Sequence, residues 1–151
     1  MVYFHHFFSK TEDSLTKYLD KYIKKANFEF RELNDESEIE DIYQMDVGIM
    51  PLFNDPWTLG KCGYKLIQYM ACQKPVIASP VGVNCNIVED GVNGFFASTT
   101  AEWKKAINFL ISDKNLREEM GNAGSIKIKN NYSLNSQLPV LLELFSSLDI
   151  D

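Results

Sequence analysis

Apolar positions along this chain follow two rhythms, short continuous runs and stretches spaced three or four residues apart. The runs predict strands. They are Val2-Tyr3-Phe4 through Phe8, the alternating Asn27 to Leu33, Val47-Gly48-Ile49-Met50 stopped by Pro51, residues 75–79, and Gly94-Phe95-Phe96-Ala97. The spaced stretches predict helices. Leu15, Tyr18, Leu19, Tyr22 and Ile23 share one helical face behind the capping-box pattern Ser9-Lys10-Thr11-Glu12. Asp35 is expected to cap a short helix ending near Tyr43-Gln44, and a polar-aromatic loop over 52–63 leads to a helix over 64–73. A second capping box, Thr99-Thr100-Ala101-Glu102, opens a helix over 100–112. Ser112 and Asp113 open another, with Leu116, Met120 and Ala123. Ser133 caps a last one through Leu148, interrupted or delayed by Pro139.

Strands alternating with helices imply right-handed crossovers. The fold class is therefore α/β, a doubly wound, mainly parallel Rossmann-like sheet with helices on both faces. In such sheets ligands bind beyond the carboxyl ends of the strands. The loops after Met50 and after Ser79 both fall on that edge, and so does the turn Gly60-Lys61-Cys62-Gly63.

Composition narrows the function. The 151 residues suffice for one domain, and 45% hydrophobic with 24% charged residues is an ordinary globular balance. A formal net charge of −6 argues against a nucleic-acid or anionic-membrane surface. No apolar run reaches the roughly 20 residues that span a bilayer. Cys62, Cys72 and Cys85 are odd in number and match neither a disulfide framework nor a zinc ribbon, which predicts free thiols in a reducing cytoplasm.

A helix N-terminus with unpaired N–H groups attracts anions. Gly60 and Gly63 would let a ligand approach the backbone, and Lys61 or Lys65 would add charge; the same turn also serves as a plain helix start. Gly82 would face the same cleft, while Asp90-Gly91-Val92-Asn93-Gly94 suits a structural hairpin. Trp57 lies in the loop at that cleft, and Trp103 is expected in the core. His5 and His6, both N-terminal, leave no Ser/His/Asp or Cys/His constellation and no further metal ligands. The acidic residues fall mostly on helix faces and suit solvated charge.

In order, several segments resemble the carboxyl-terminal domain of GT-B glycosyltransferases of the group 1 (retaining) family. They are Asp46 to Pro51, Lys65 to Ser79, Gly82, Ile87 to Gly94, and Leu116 to Gly121. The resemblance implies a single nucleotide-sugar-binding domain over 1–151 whose first strand-helix unit is missing, cut from a two-domain enzyme with a separate amino-terminal acceptor domain. It implies a nucleotide-diphosphate sugar as donor, no other cofactor and no metal. Donor-binding residues would be Gly60, Lys61, Cys62, Gly63, Tyr64, Lys65, Gln68 and Gly82, with no catalytic residue assigned. Two signature glutamates of the family align with Gly60 and Gln68, so one carboxylate is absent and the other has become an amide. Asn86 also stands where many members carry Glu.

The implied activity is transfer, with retention, to an acceptor such as a cell-surface polysaccharide or glycolipid. The intact enzyme would be cytoplasmic, without a transmembrane segment and open to peripheral membrane association; this chain alone is expected to be inactive. The alternatives are a non-catalytic nucleotide-sugar-binding or regulatory domain of the same fold and, further off, a sugar-nucleotide epimerase, which would need acid-base residues in the cleft.

Overall fold

The computed structural model describes residues 4–5 and 37–147. The expected strand at 27–33, the helix behind Ser9 and the proposed cap Asp35 lie outside the described residues. Four strands form one all-parallel sheet in the order β1 (Phe4–His5), β2 (Val47–Met50), β3 (Val76–Ala78) and β4 (Gly94–Phe96). Strands β2 and β3 pair with Gly48 opposite Val76 and Met50 opposite Ala78.

Successive strand residues point to opposite faces, and the core divides accordingly. Val76 and Ala78 join Ile42, Leu66, Tyr69, Met70, Ile87 and Ile128 on one side of the sheet. Ile77 joins Val47, Ala97, Ala106, Leu110 and Met120 on the other. Helices α1 (Glu38–Tyr43), α3 (Tyr64–Ala71) and α4 (Asn84–Ile87) supply the first cluster, and α5 (Thr100–Ser112) the second. The long α6 (Lys114–Asn131) contributes to both. Helices cover both faces, as the alternation requires.

Close packing of α6 on the first layer depends on small residues. A Cβ on Gly121 would lie 2.1 Å from the Gln73 carbonyl oxygen, and one on Gly124 would lie 3.0 Å from Met70 Cγ. Gln73 itself closes α3 as the left-handed residue of a Schellman motif, at φ 59°. Its N–H donates to Met70 O and the Lys74 N–H donates to Tyr69 O, each at 2.9 Å. Lys74 Nζ then donates to Tyr43 O at 2.9 Å, satisfying a carbonyl at the end of α1. Arg117 does the same for α5, donating to Leu110 O at 2.6 Å while its other nitrogen lies 3.6 Å from Asp46.

Several sequence expectations change in detail. The loop over 52–63 contains a short helix, α2 (Pro56–Leu59), because Asp55 and Thr58 form a reciprocal capping box and Pro56 takes the first helical position. Ser37 precedes α1 and makes no side-chain hydrogen bond to cap it. The Asp90–Gly94 turn is no hairpin: it feeds β4, which runs parallel to β3, and Asp90 Oδ1 accepts from the Phe96 amide at 2.8 Å. Helix α7 (Leu134–Ser146) begins at the Ser133 cap, as expected, but runs uninterrupted past Pro139. Trp103 is half-buried against the second cluster.

Candidate donor site

The carboxyl ends of β2 and β3 are tied together before either chain leaves the sheet. Ser79 N donates to Met50 O at 3.1 Å, and Leu52 N donates to Ser79 Oγ at 3.0 Å. Asn84, fully buried, donates from Nδ2 to Ser79 O at 3.1 Å and so docks α4 on the same edge. Its Oδ1 is buried without a partner.

On this platform the segment 59–65 lies against 82–87. Gly82 (φ 54°) sits beneath Leu59, where a Cβ would come within 3.2 Å of Leu59 O. Gly63 (φ 69°) is buried against α4, and a Cβ there would meet Ile87 Cδ1 at 2.5 Å and Val83 Cγ1 at 3.0 Å. Both glycines are required by left-handed backbone as well as by space. Gly60 differs, having φ −82° and only Trp57 O at 3.6 Å from a Cβ. Lys61, Cys62 and Tyr64 are exposed, and Trp57 stands out from α2 at 81% exposure.

Gly63 is the N-cap of α3, so no side chain caps this helix and no acid stands in its first turn. No residue of α3 itself therefore offsets the partial positive charge of that N-terminus. The structure thus brings Gly60, Lys61, Cys62, Gly63, Tyr64 and Gly82 to one edge.

Lys65 and Gln68 point elsewhere. Lys65, expected to add charge for an anion, instead pairs its Nζ with Glu38 Oε1. Gln68 Nε2 donates to Glu38 Oε2 at 2.6 Å. Gln68 Oε1 is buried with no hydrogen-bond partner, a loss of about 1–3 kcal/mol for an ordinary carbonyl. Glu38 opens α1, whose N-terminus lies toward the carboxyl edge because α1 leads directly into β2. Its side chain is only 16% exposed, which corrects its grouping with the solvated acids. Its charge also reaches Tyr69, whose phenol is held well above its usual range, mainly by burial and secondarily by Glu38. The signal that could have found Glu38 was topological: α1 and α3 both start at the same sheet edge.

All three cysteines are free, Cys72 buried and the other two exposed. Among the described residues no group of three or more His, Cys, Asp or Glu is placed to hold a metal. No described helix is long and apolar enough to cross a membrane.

A family model for group 1 glycosyl transferases matches residues 9–127. An uncharacterized glycosyltransferase of Methanocaldococcus jannaschii is 41% identical over 64 residues, covering 41% of this chain and 18% of that protein. Two solved structures share the fold. Anabaena HepE, determined in complex with UDP and glucose, superposes with a TM-score of 0.75 at 21% identity, over 89% of this chain and 36% of that one. The carboxyl-terminal domain of a group 1 family glycosyl transferase (LpcC) from Francisella tularensis gives 0.63 at 22% identity, over 83% of this chain and 66% of that one. The chain thus spans about a fifth of the curated relative and about a third of HepE. With the parallel sheet and its two helical layers, the match places this chain in the group 1 glycosyl transferase family, as the Rossmann-like carboxyl-terminal half of a GT-B fold.

Proposed function

We propose that this chain is the donor-binding half of an enzyme that transfers a sugar, with retention, from a nucleoside diphosphate to an acceptor such as a cell-surface polysaccharide or glycolipid. The observation that carries the reading is the uncapped N-terminus of α3, set at the carboxyl edge of a parallel sheet beside Lys61 and across from Gly82. Departure of a nucleoside diphosphate leaves negative charge, and fixed backbone dipoles with a nearby ammonium stabilise it. Lys61 and the amides at the start of α3 take that role, and Gly60, Cys62 and Tyr64 line the approach. The site uses no metal or further cofactor. That HepE, with the same fold, was solved with UDP and glucose supports this choice of ligand class. The acceptor is held by a further domain, and the intact enzyme works on the cytoplasmic side, with peripheral membrane association where its acceptor is a glycolipid.

The test is transfer by the full-length protein from a panel of nucleotide sugars, with the product anomer assigned by NMR. Retained configuration supports the reading, and an inverted product refutes it. A second reading, a non-catalytic nucleotide-sugar-binding or regulatory domain, draws on one observation: Gly60 and Gln68 stand where the family carries its two carboxylates. Tight binding of a nucleotide sugar without any turnover would favour that reading instead.

A further inference from the structure

Helix α7 is mostly apolar and buries none of its residues. Leu134, Leu138, Leu141 and Phe145 are between 45% and 77% exposed, and Val140, Leu142 and Leu144 are open as well. No α7 residue joins either core cluster. An apolar face of this width is ordinarily covered.

The first four side chains follow one another at intervals of four, three and four residues, the spacing of a coiled-coil seam. At about 3.6 residues per turn they fall within roughly 60° of one another. Ser136, the one half-buried residue of the helix, lies on the opposite side. The stripe is therefore turned away from the body of the domain.

Charge separates the possible occupants. Glu143 is the only charged residue of α7, and it stands seven positions from Ser136, on the side away from the stripe. The positions flanking the stripe, Asn135, Gln137, Leu142 and Leu144, are uncharged. In helix pairs those positions hold the charges that select an unlike partner. A helix lying on a membrane surface carries lysine or arginine on its polar face. Helix α7 has neither, in a chain of net charge −6. A second α7 meets nothing that opposes it, because apolar stripe packs on apolar stripe and each Glu143 faces outward. Such self-complementarity is what a two-fold interface requires.

We propose that the α7 stripe is a self-association surface, through which two copies of this protein pair helix against helix about a two-fold axis. The inference uses none of the donor-site residues and stands apart from that reading.

The experiment is sedimentation equilibrium of the full-length protein over about 1–200 µM, a range suited to a small interface. Wild type reaches twice the monomer mass. The double variant Leu138→Glu, Leu141→Glu stays a monomer throughout, with the circular dichroism of wild type, since neither residue belongs to a core cluster. Val140→Glu, off the stripe, keeps the dissociation constant within about twofold of wild type. Mixing the glutamate double variant with Leu138→Lys, Leu141→Lys, itself a monomer, restores a dimer of one copy each, which requires that the two stripes meet. If the glutamate variant loses helical signal, Leu138→Ala, Leu141→Ala keeps helix propensity and carries the test, with dimerisation weakened about tenfold or more as the supporting result. A monomeric wild type overturns the proposal and gives the stripe to another part of the longer protein. Monomeric wild type that co-sediments with phosphatidylcholine–phosphatidylglycerol vesicles overturns it in favour of a membrane surface. A dimer that survives the stripe variants also overturns it, by placing the interface elsewhere.

Discussion

Gln73 holds a left-handed conformation, φ 59°, at the C′ position that most helices give to glycine. Its backbone already makes both Schellman hydrogen bonds, so Gln73→Gly removes strain without removing contacts. Chemical denaturation should show a gain of about 0.5–1 kcal/mol, the left-handed penalty less the extra entropy of an unfolded glycine. Gly121, which abuts the Gln73 carbonyl, responds in the opposite sense. Its Cβ position is occupied by backbone rather than by a flexible side chain, so Gly121→Ala should cost about 1–3 kcal/mol or more in the same assay. Gly60 separates stability from binding. Nothing crowds its Cβ and its φ is ordinary, so Gly60→Ala should leave stability within about 0.5 kcal/mol of wild type. Weaker nucleotide binding in that stable variant would show that a ligand approaches this backbone, and unchanged binding would show that it does not.

Among the helices, α5 carries the clearest pH signature. The amides of Thr99 and Ser98 donate to Glu102 and hold its carboxyl below the ordinary 4.5 of a glutamate. A depressed folded value means that this stabilisation is present above 4.5 and is lost as pH falls through the folded pKa. Amide exchange at Ser98 and Thr99 should therefore speed up on acidification through that window, and Glu102→Gln should flatten the dependence. Helix α7 is shaped by a different constraint. Pro139 has no N–H to offer the Asn135 carbonyl, yet the helix continues around it. Because residue 139 is exposed, Pro139→Ala should add helical signal in circular dichroism and up to about 3 kcal/mol of local stability.

For the whole molecule, the decisive fact is proportion. This chain corresponds to 36% of HepE, and its described site is one edge of one sheet. A transfer reaction needs a second wall to hold the acceptor and exclude water. The isolated 151-residue chain should therefore turn over no nucleotide sugar, while still binding nucleoside diphosphate weakly. Product formation by the isolated chain in a coupled assay for released nucleoside diphosphate would contradict this. If Lys61 meets the diphosphate as proposed, Lys61→Ala should lower nucleotide affinity several-fold, corresponding to about 0.5–1 kcal/mol for an exposed charge contact. Its stability should not change, since Lys61 is exposed.

The sequence by itself marked the two central strands and the capped start of α5. Buried parallel strands must be short and apolar, so Val47–Met50 and Val76–Ala78 stood out, and a capping box writes both partners of its hydrogen bonds within four residues, as at Thr99 and Glu102. It also carried the Gly60–Gly63 turn to the correct edge, because crossover handedness leaves few alternatives. Only the tertiary structure decided what Lys65 and Gln68 face. Their partner, Glu38, is 27 and 30 residues away and lies on another helix. A charge on an amphipathic pattern looks the same whether it meets water or a partner, and folding alone brings α1 and α3 to a common edge. The same holds for Gly121, whose need for a missing Cβ exists only because the end of α3 packs against it.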